Sequence, residues 1–130
     1  MKCIVVTPEK TALEKDVDFA ALPLQDGEIG IARGHSPMIG RLGFGEMRLM
    51  VNGQAERYYI DGGFVQIADD VVSVLTERAI PVADLQRTAV EQQLTDNLAR
   101  PINTEELLEI RDRLITQGRA QLAVLRRSGR

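Results

Sequence analysis

The sequence predicts an all-β N-terminal sandwich over residues 1–80 and a C-terminal α-helical hairpin over residues 81–130, α+β overall. Three observations predict it. Apolar residues alternate with period two in the first part. Turn-forming pairs punctuate those alternations. After Pro81 no glycine occurs until Gly118, and Gln, Glu, Arg, Leu and Ala, all good helix formers, take over.

The strand-like segments follow in order. "DVDFAAL" sets Val17, Phe19 and Ala21 against Asp16, Asp18 and Ala20. "EMRLMV" sets Met47, Leu49 and Val51 against Arg48 and Met50, then meets Asn52-Gly53, a strong hairpin signal, and returns as "AERYYI". "FVQIA", the pair Asp69-Asp70 and "VVSVLTE" read as a second hairpin. Short strands and turns at this density indicate an antiparallel sandwich or barrel, so this half is all-β.

Beyond Pro81 the period lengthens. Val90, Leu94 and Leu98 recur every four residues, with Leu85 and Ala89 just before them, and predict a first helix over about 82–98. Pro101 interrupts it. Asn103, three residues before Glu106, resembles a capping box and opens a second helix from Thr104 to about Arg127. Leu108, Ile115 and Leu122, with Leu107, Leu114 and Leu125 beside them, give that helix its apolar stripe. Gly118 in mid-helix costs about 0.5–1 kcal/mol relative to Ala, and marks either a close-packing point or a bend. Neither helix can bury its stripe alone, so the hairpin needs a surface to lean on.

Composition narrows the function. Apolar residues make up 44% and charged residues 27% of the 130, an ordinary globular balance. A net charge of −3 and a poverty of aromatics (three Phe, two Tyr, no Trp) argue against nucleic acid as a partner. Cys3 is the single cysteine, so there is no internal disulfide, and a reducing compartment is expected. The N-terminal apolar run is too short for a signal-peptide core, and no stretch reaches the ~20 apolar residues of a membrane span. A soluble protein with no direct membrane insertion is expected. Charge is uneven, however: residues 107–130 carry six Arg, including Arg119, Arg126, Arg127 and Arg130, against Glu109 and Asp112. A basic terminal helix on an acidic chain suggests an acidic docking site.

Catalytic signatures are missing. There is neither a phosphate-cradling Gly-x-x-x-x-Gly-Lys-Ser/Thr nor a Gly-x-Ser-x-Gly elbow. One His and one Cys far apart give no nucleophile pair, and a lone His35 supplies no metal site. The carboxylate pairs Asp16/Asp18 and Asp69/Asp70 suit a strand face and a turn better than acid–base chemistry.

The unusual stretch is "DGEIGIARGHSPMIG", residues 26–40. Its glycines and Pro37 build a constrained frame, with Glu28 and His35 as polar groups mounted on it. "GEIGIARGHSPMIG" resembles the Gly-Glu-(Ile/Leu)-Gly-Ile-x-x-Gly-His-(Ala/Ser)-Pro-hydrophobic segment of the epsilon subunits of F-type ATP synthases. "VVTPEKTALEKDVDFAALP", "GGFVQI" and "VVSVLTERA" agree with the same family, so the resemblance covers residues 4–79 in order. Over the hairpin it is mainly one of architecture.

The resemblance implies a non-catalytic central-stalk subunit of a rotary proton- or sodium-translocating ATP synthase, peripheral on the cytoplasmic side of the inner (cell) membrane. Its implied partners are the gamma subunit, the ring of c subunits and the catalytic beta and alpha subunits. Glu28, Ile29, Gly30, Ile31, Arg33 and His35 then belong to the ring and gamma interface. Glu28 matches the family's loop carboxylate, and His35 either meets a partner or shapes the loop. Ala32-Arg33 departs from the family's usual aliphatic-Pro or aromatic-Pro pair and adds a positive charge at the rim. The hairpin is implied to inhibit ATP hydrolysis, with Arg119, Arg126 and Arg127 facing an acidic segment of the catalytic head.

Some bacterial members bind ATP through (Ile/Leu)-Asp-x-x-Arg-Ala at the start of the first helix. Here Ala83-Asp84-Leu85-Gln86-Arg87-Thr88 keeps the Asp and Arg alone, a pair that also suits a surface ion pair three apart on a helix. No cofactor and no strong ATP binding are expected. The rival class is a free-standing β-sandwich binding module with a helical dimerisation arm, which the five scattered aromatics disfavour. A cupin-like enzyme would need several His.

Overall fold

The computed structural model describes residues 1–127 and divides the chain into two compact units, Met1–Pro81 and the residues from Val82 onward. Arg130, counted above in the basic terminal segment, lies outside the described residues.

The first unit holds eight strands: β1 (Lys2–Val6), β2 (Thr11–Asp16), β3 (Phe19–Leu24), β4 (Gly27–Ala32), β5 (Met38–Val51), β6 (Gln54–Ala68), β7 (Val71–Leu75) and β8 (Ala79–Pro81). Their hydrogen-bonded order is β2-β1-β7-β6-β5-β3-β4, with β8 also on β6. All pairs are antiparallel except β1–β7.

The two expected hairpins are present, each closed by two residues. Asn52 and Gly53 link Val51 to Gln54 with φ of 52° and 79°; Asp69 and Asp70 link Ala68 to Val71 with φ of 51° and 63°. Positive φ at both central residues gives the turn the twist of the strands it joins, and Asn, Asp and Gly tolerate it best.

β5 and β6 are long, at 14 and 15 residues. One end of this ribbon carries β7, the other β3 and β8, so the sheet folds back on itself as a sandwich. The fold-back passes through Gly62-Gly63, where a Cβ on Gly63 (φ +106°) would lie 1.8 Å from the Leu75 carbonyl oxygen. Inside sit Val5, Leu22, Ile31, Leu42, Met47, Leu49, Ile60, Val65, Ile67, Val72 and Val74, together with the Cys3 thiol. At about 25 cal/mol per Å² of apolar surface, this shared interior is the main source of stability.

One strand reading is corrected. "DVDFAAL" is not a continuous alternation: β2 ends at Asp16 and β3 starts at Phe19. The intervening Val17 and Asp18 donate their amides to Met1 O (2.7 Å) and Met50 O (2.8 Å). Val17 is buried at the crossing, while Phe19 turns outward and Ala20 inward. Tertiary backbone bonds at that junction reset the phase.

The second unit begins with a 3₁₀ turn, Val82–Asp84, before α1 (Arg87–Leu98) and α2 (Glu105–Arg127). The first helix thus starts at 87 rather than 82. Ala79–Pro81 pair with Tyr58–Ile60 as β8, and the extended Gln86 (φ −112°, ψ 121°) separates the turn from the helix. The cap of α2 also differs from expectation. Thr104, not Asn103, accepts the Leu107 amide on its hydroxyl at 3.1 Å, so Thr104 is the N-cap.

The expected stripes are partly realised. Val90, Ile115 and Leu125 are buried, whereas Ala89, Leu98 and Leu108 face outward. Helix burial is concentrated in the second half of α2, at Ile115, Gly118, Gln121, Val124 and Leu125. Gly118 resolves as a packing point: α2 is unbroken through it, and a Cβ there would come within 3.3 Å of Leu94 Cδ1 on α1.

Candidate functional site

β4 and the loop that follows carry the residues singled out in the first unit. The strand period of two splits them. Ile31 points into the core and is fully buried, Ile29 is half-buried, and Glu28, Gly30 and Arg33 face outward. Ile31 therefore anchors the segment instead of presenting a surface. Gly30 is bare for a steric reason: a Cβ on it would meet the Phe19 ring at 2.8 Å. Phe19, opposite Ala32 on β3, lies over that gap and stays 37% exposed.

Glu28 is held along the sheet. Its Oε1 accepts from Arg48 Nη2 at 3.1 Å, Arg48 Nη1 lies 3.5 Å from Glu46, and Glu46 Oε1 accepts from Arg57 Nη1 at 2.8 Å. Opposite charges thus run from β4 across β5 to β6, with the buried Glu46 at their centre. Its Oε2 has no hydrogen-bond partner in the structure. Glu28 remains 43% exposed at the open end, where an ion pair in water is worth at most about 1 kcal/mol and can be exchanged for a partner's donor.

The loop between β4 and β5 is tied at three points. The Gly34 amide donates to Asp70 Oδ1 at 2.9 Å, the His35 amide to Ala32 O at 3.2 Å, and His35 Nδ1 lies 2.7 Å from Ser36 O. A carbonyl only accepts, so Nδ1 carries the proton in this bond. Of the two roles left open for His35, the shaping bond is present. Arg33 Nη2 lies 3.8 Å from Asp18 Oδ1, so its added charge is balanced within the chain.

In the second unit Arg119, Arg126 and Arg127 are exposed, and none has a carboxylate partner among the described residues. Arg126 and Arg127 occupy the last turn of α2, where positive charge is favoured by the helix dipole. Asp84 lies in the 3₁₀ turn, outside α1, so no helix spans Asp84 and Arg87; Arg87 opens α1 and lies 3.9 Å from Glu91. Among the described residues no cluster of three His, Cys, Asp or Glu could hold a metal, and no helix is long and apolar enough to cross a membrane.

Sequence reasoning missed a buried polar cluster around Asp61, which is 5% exposed. Tyr59 donates its hydroxyl to Asp61 Oδ1 at 2.6 Å, Arg78 Nε donates to Asp61 Oδ2 at 2.8 Å, and the Asp61 amide donates to Thr76 Oγ1 at 3.1 Å. A polar Asp preceding Gly62-Gly63 was a visible hint, but its partners are up to 17 residues away. Nearer the β2 edge, Lys15 bonds Glu56, which also accepts from the Tyr58 hydroxyl at 3.0 Å. Lys15 holds the Glu56 carboxyl below the usual carboxylate range, Glu56 holds the Lys15 ammonium above its usual value, and burial pushes the Tyr58 phenol up.

The site is thus a rigid, charged and apolar surface on a β-sandwich, joined to a helical hairpin with a basic end. Such an arrangement suits a docking protein. Residues 1–82 match the family described as the ATP synthase delta/epsilon chain, beta-sandwich domain. An ATP synthase epsilon chain of Rhodopirellula baltica is 48% identical over 126 residues, covering 97% of this chain and 98% of its own. One of Granulibacter bethesdensis is 39% identical over 79% of this chain and 77% of its own. Similar folds occur in the mitochondrial ATP synthases of Euglena gracilis (OSCP/F1/c-ring; TM-score 0.73, 21% identity, 95% of this chain and 76% of the other) and Tetrahymena thermophila (central stalk/c-ring; TM-score 0.70, 15% identity, 96% of each). The chain belongs to the ATP synthase delta/epsilon family.

Proposed function

We propose that this chain is a non-catalytic subunit of the central stalk of a rotary ATP synthase, peripheral on the cytoplasmic side of the cell membrane. The sandwich docks on the gamma subunit and the c ring, with Glu28, Gly30, Arg33 and His35 at the contact. The helical hairpin restrains ATP hydrolysis, with Arg119, Arg126 and Arg127 directed at an acidic segment of the catalytic beta subunits. The observation that carries this reading is the 48% identity to an epsilon chain along 97% of the sequence, which includes the hairpin as well as the sandwich.

The geometry supports each part. Torque transmission requires a stiff body, and the sandwich has a continuous eight-stranded hydrogen-bond network around one core. A brake must be able to engage and release, and Arg119, Arg126 and Arg127, exposed and without a carboxylate partner among the described residues, offer charge that a partner's carboxylates could take up at low cost.

The test compares ATP hydrolysis by the cognate catalytic complex carrying either the full chain or the chain cut after Pro81. The reading expects the shortened chain to join the complex and hydrolysis to rise several-fold. Equal rates would remove the restraining role, and failure of the full chain to join would remove the assignment to the stalk.

A further inference from the structure

Glu46 stands on β5 on the side away from its core neighbour Met47, yet its side chain is 0% exposed. A buried carboxylate is tolerated only with cations beside it, and two arginines attend this one. Arg57 Nη1 donates to Oε1 at 2.8 Å, and Arg48 Nη1 lies 3.5 Å from the same oxygen. Oε2 is buried and has no hydrogen-bond partner among the described residues. A charged oxygen without a donor is costly in a folded interior, so a donor within reach is drawn to it.

Arg48 is that donor, and it stands between two acids with one nitrogen turned to each. Nη2 donates to Glu28 Oε1 at 3.1 Å, while Nη1, at 3.5 Å from Glu46, is too distant for a good hydrogen bond. The bond to β4 thus holds the guanidinium away from the buried acid. A planar fork can serve both oxygens of one carboxylate, so turning onto Glu46 would exchange one long contact for two bonds and reach Oε2. The restraint on the other side is weak. Arg48 is 31% and Glu28 43% exposed, so water screens their pairing and the bond is easily exchanged. A partner's cation arriving at Glu28 would meet Arg48 already there, and two like charges on one carboxylate repel unless one withdraws.

We propose that Arg48 is a positioning residue for the contact at Glu28, working as a two-position latch between Glu28 and Glu46. The inference rests on the stalk reading above for Glu28 as a docking carboxylate, and it adds how that carboxylate is released. In the free chain Arg48 holds Glu28 along the sheet and shields its charge. When a partner's Arg or Lys takes Glu28, Arg48 turns to Glu46 and bonds both of its oxygens, while Arg57 stays on Oε1. The surface acid changes hands without two cations sharing it, and the buried acid gains the donor it lacks. The partner group is a cation, since a neutral donor would not displace an arginine.

The experiment measures binding of full-length chains to the cognate rotary complex, c ring included, stripped of its own copy. The chains are unaltered, Glu28→Gln, Arg48→Gln, Glu46→Gln, and the last two each combined with Glu28→Gln, all checked by their melting curves. Glu28→Gln is expected to weaken binding about tenfold. Arg48→Gln removes the competitor for Glu28 and is expected to tighten binding about threefold. Glu46→Gln takes away the second position and is expected to weaken binding about fivefold, although its side chain is buried. Neither of these two changes is expected to alter binding in the Glu28→Gln background, where a merely structural loss would persist. Should Glu46→Gln melt, Arg48→Gln and its double variant decide alone. Binding by Arg48→Gln no tighter than the parent, or an effect that survives in the Glu28→Gln background, overturns the latch and leaves the stalk reading standing. Parent-like binding by a folded Glu46→Gln does the same. Parent-like binding by Glu28→Gln removes that residue from the contact and the latch with it. Failure of the unaltered chain to bind overturns the stalk reading itself.

Discussion

The amide of Gly34 donates to Oδ1 of Asp70 at 2.9 Å, across 36 residues of sequence. The bond fixes the β4–β5 loop to the β6–β7 turn, and so sets where Arg33 and His35 stand. Asp70 is itself held with φ of 63° in that turn, and its carbonyl accepts from the Lys2 amide at 3.1 Å. The proposed loop interface is therefore positioned by a residue that is not in the loop.

Replacing Asp70 tests this tie. Asp70→Asn keeps a residue that tolerates the left-handed conformation and an oxygen acceptor, so the Gly34 amide should stay protected from hydrogen exchange. Asp70→Ala should expose that amide to exchange and cost about 1 kcal/mol or more, from the lost bond and the strained turn. Equal protection in the two variants would mean that the loop holds its shape without the tie.

Gly63 is the sharpest steric constraint in the sandwich. A methyl group there would overlap the Leu75 carbonyl at 1.8 Å, on a backbone with φ of +106°. Gly63→Ala should cost roughly 3 kcal/mol or more, visible as a large drop in melting temperature. Gly53→Ala, strained but in open space, should cost less.

Helix α2 should depend on Thr104 more than on Asn103. Thr104→Ala removes the acceptor for the Leu107 amide and should destabilise the hairpin by about 1 kcal/mol. Asn103→Ala should be close to neutral. Helicity followed by circular dichroism during thermal unfolding separates the two.

Cys3 supplies a pH dependence. Burial pushes its thiol up to about 12. In the unfolded chain a thiol titrates near ~8.5, so above that pH the unfolded state loses a proton that the folded state keeps. Stability from this group is full below ~8.5 and declines as pH rises towards 12. Cys3→Val should flatten that alkaline limb, and the native thiol should react with a disulfide reagent only as fast as the protein unfolds. Rapid native-state labelling at pH 8 would contradict the burial.

On the acid side, two carboxyls are depressed. The Met1 ammonium holds Asp16 below its usual value, and Lys15 holds Glu56 below its own. Their contribution is present above the ordinary carboxylate range and is lost as pH falls through the lowered folded values. Glu56→Gln should therefore shift acid unfolding towards milder dependence, without changing the alkaline limb set by Cys3.

The features that depend on near neighbours were legible in the sequence. Asn52-Gly53 and Asp69-Asp70 close hairpins because their side chains tolerate positive φ, and Pro101 and the run of helix formers mark two helices wherever they pack. Alternation in "EMRLMV" placed Met47 and Leu49 inward, whereas Ile31, expected at the interface, proved to be core beside the exposed Glu28. The tertiary structure decided the rest, because the partners involved are far apart along the chain. It reset the phase at Val17, delayed α1 to Arg87 by pairing Ala79–Pro81 with β6, and made Gly118 a packing point against Leu94. It also tied Gly34 to Asp70 and strung Glu28, Arg48, Glu46 and Arg57 across three strands. Local propensity acts over a few residues, whereas a surface is assembled by the register between strands, and that register is set only when the whole core closes.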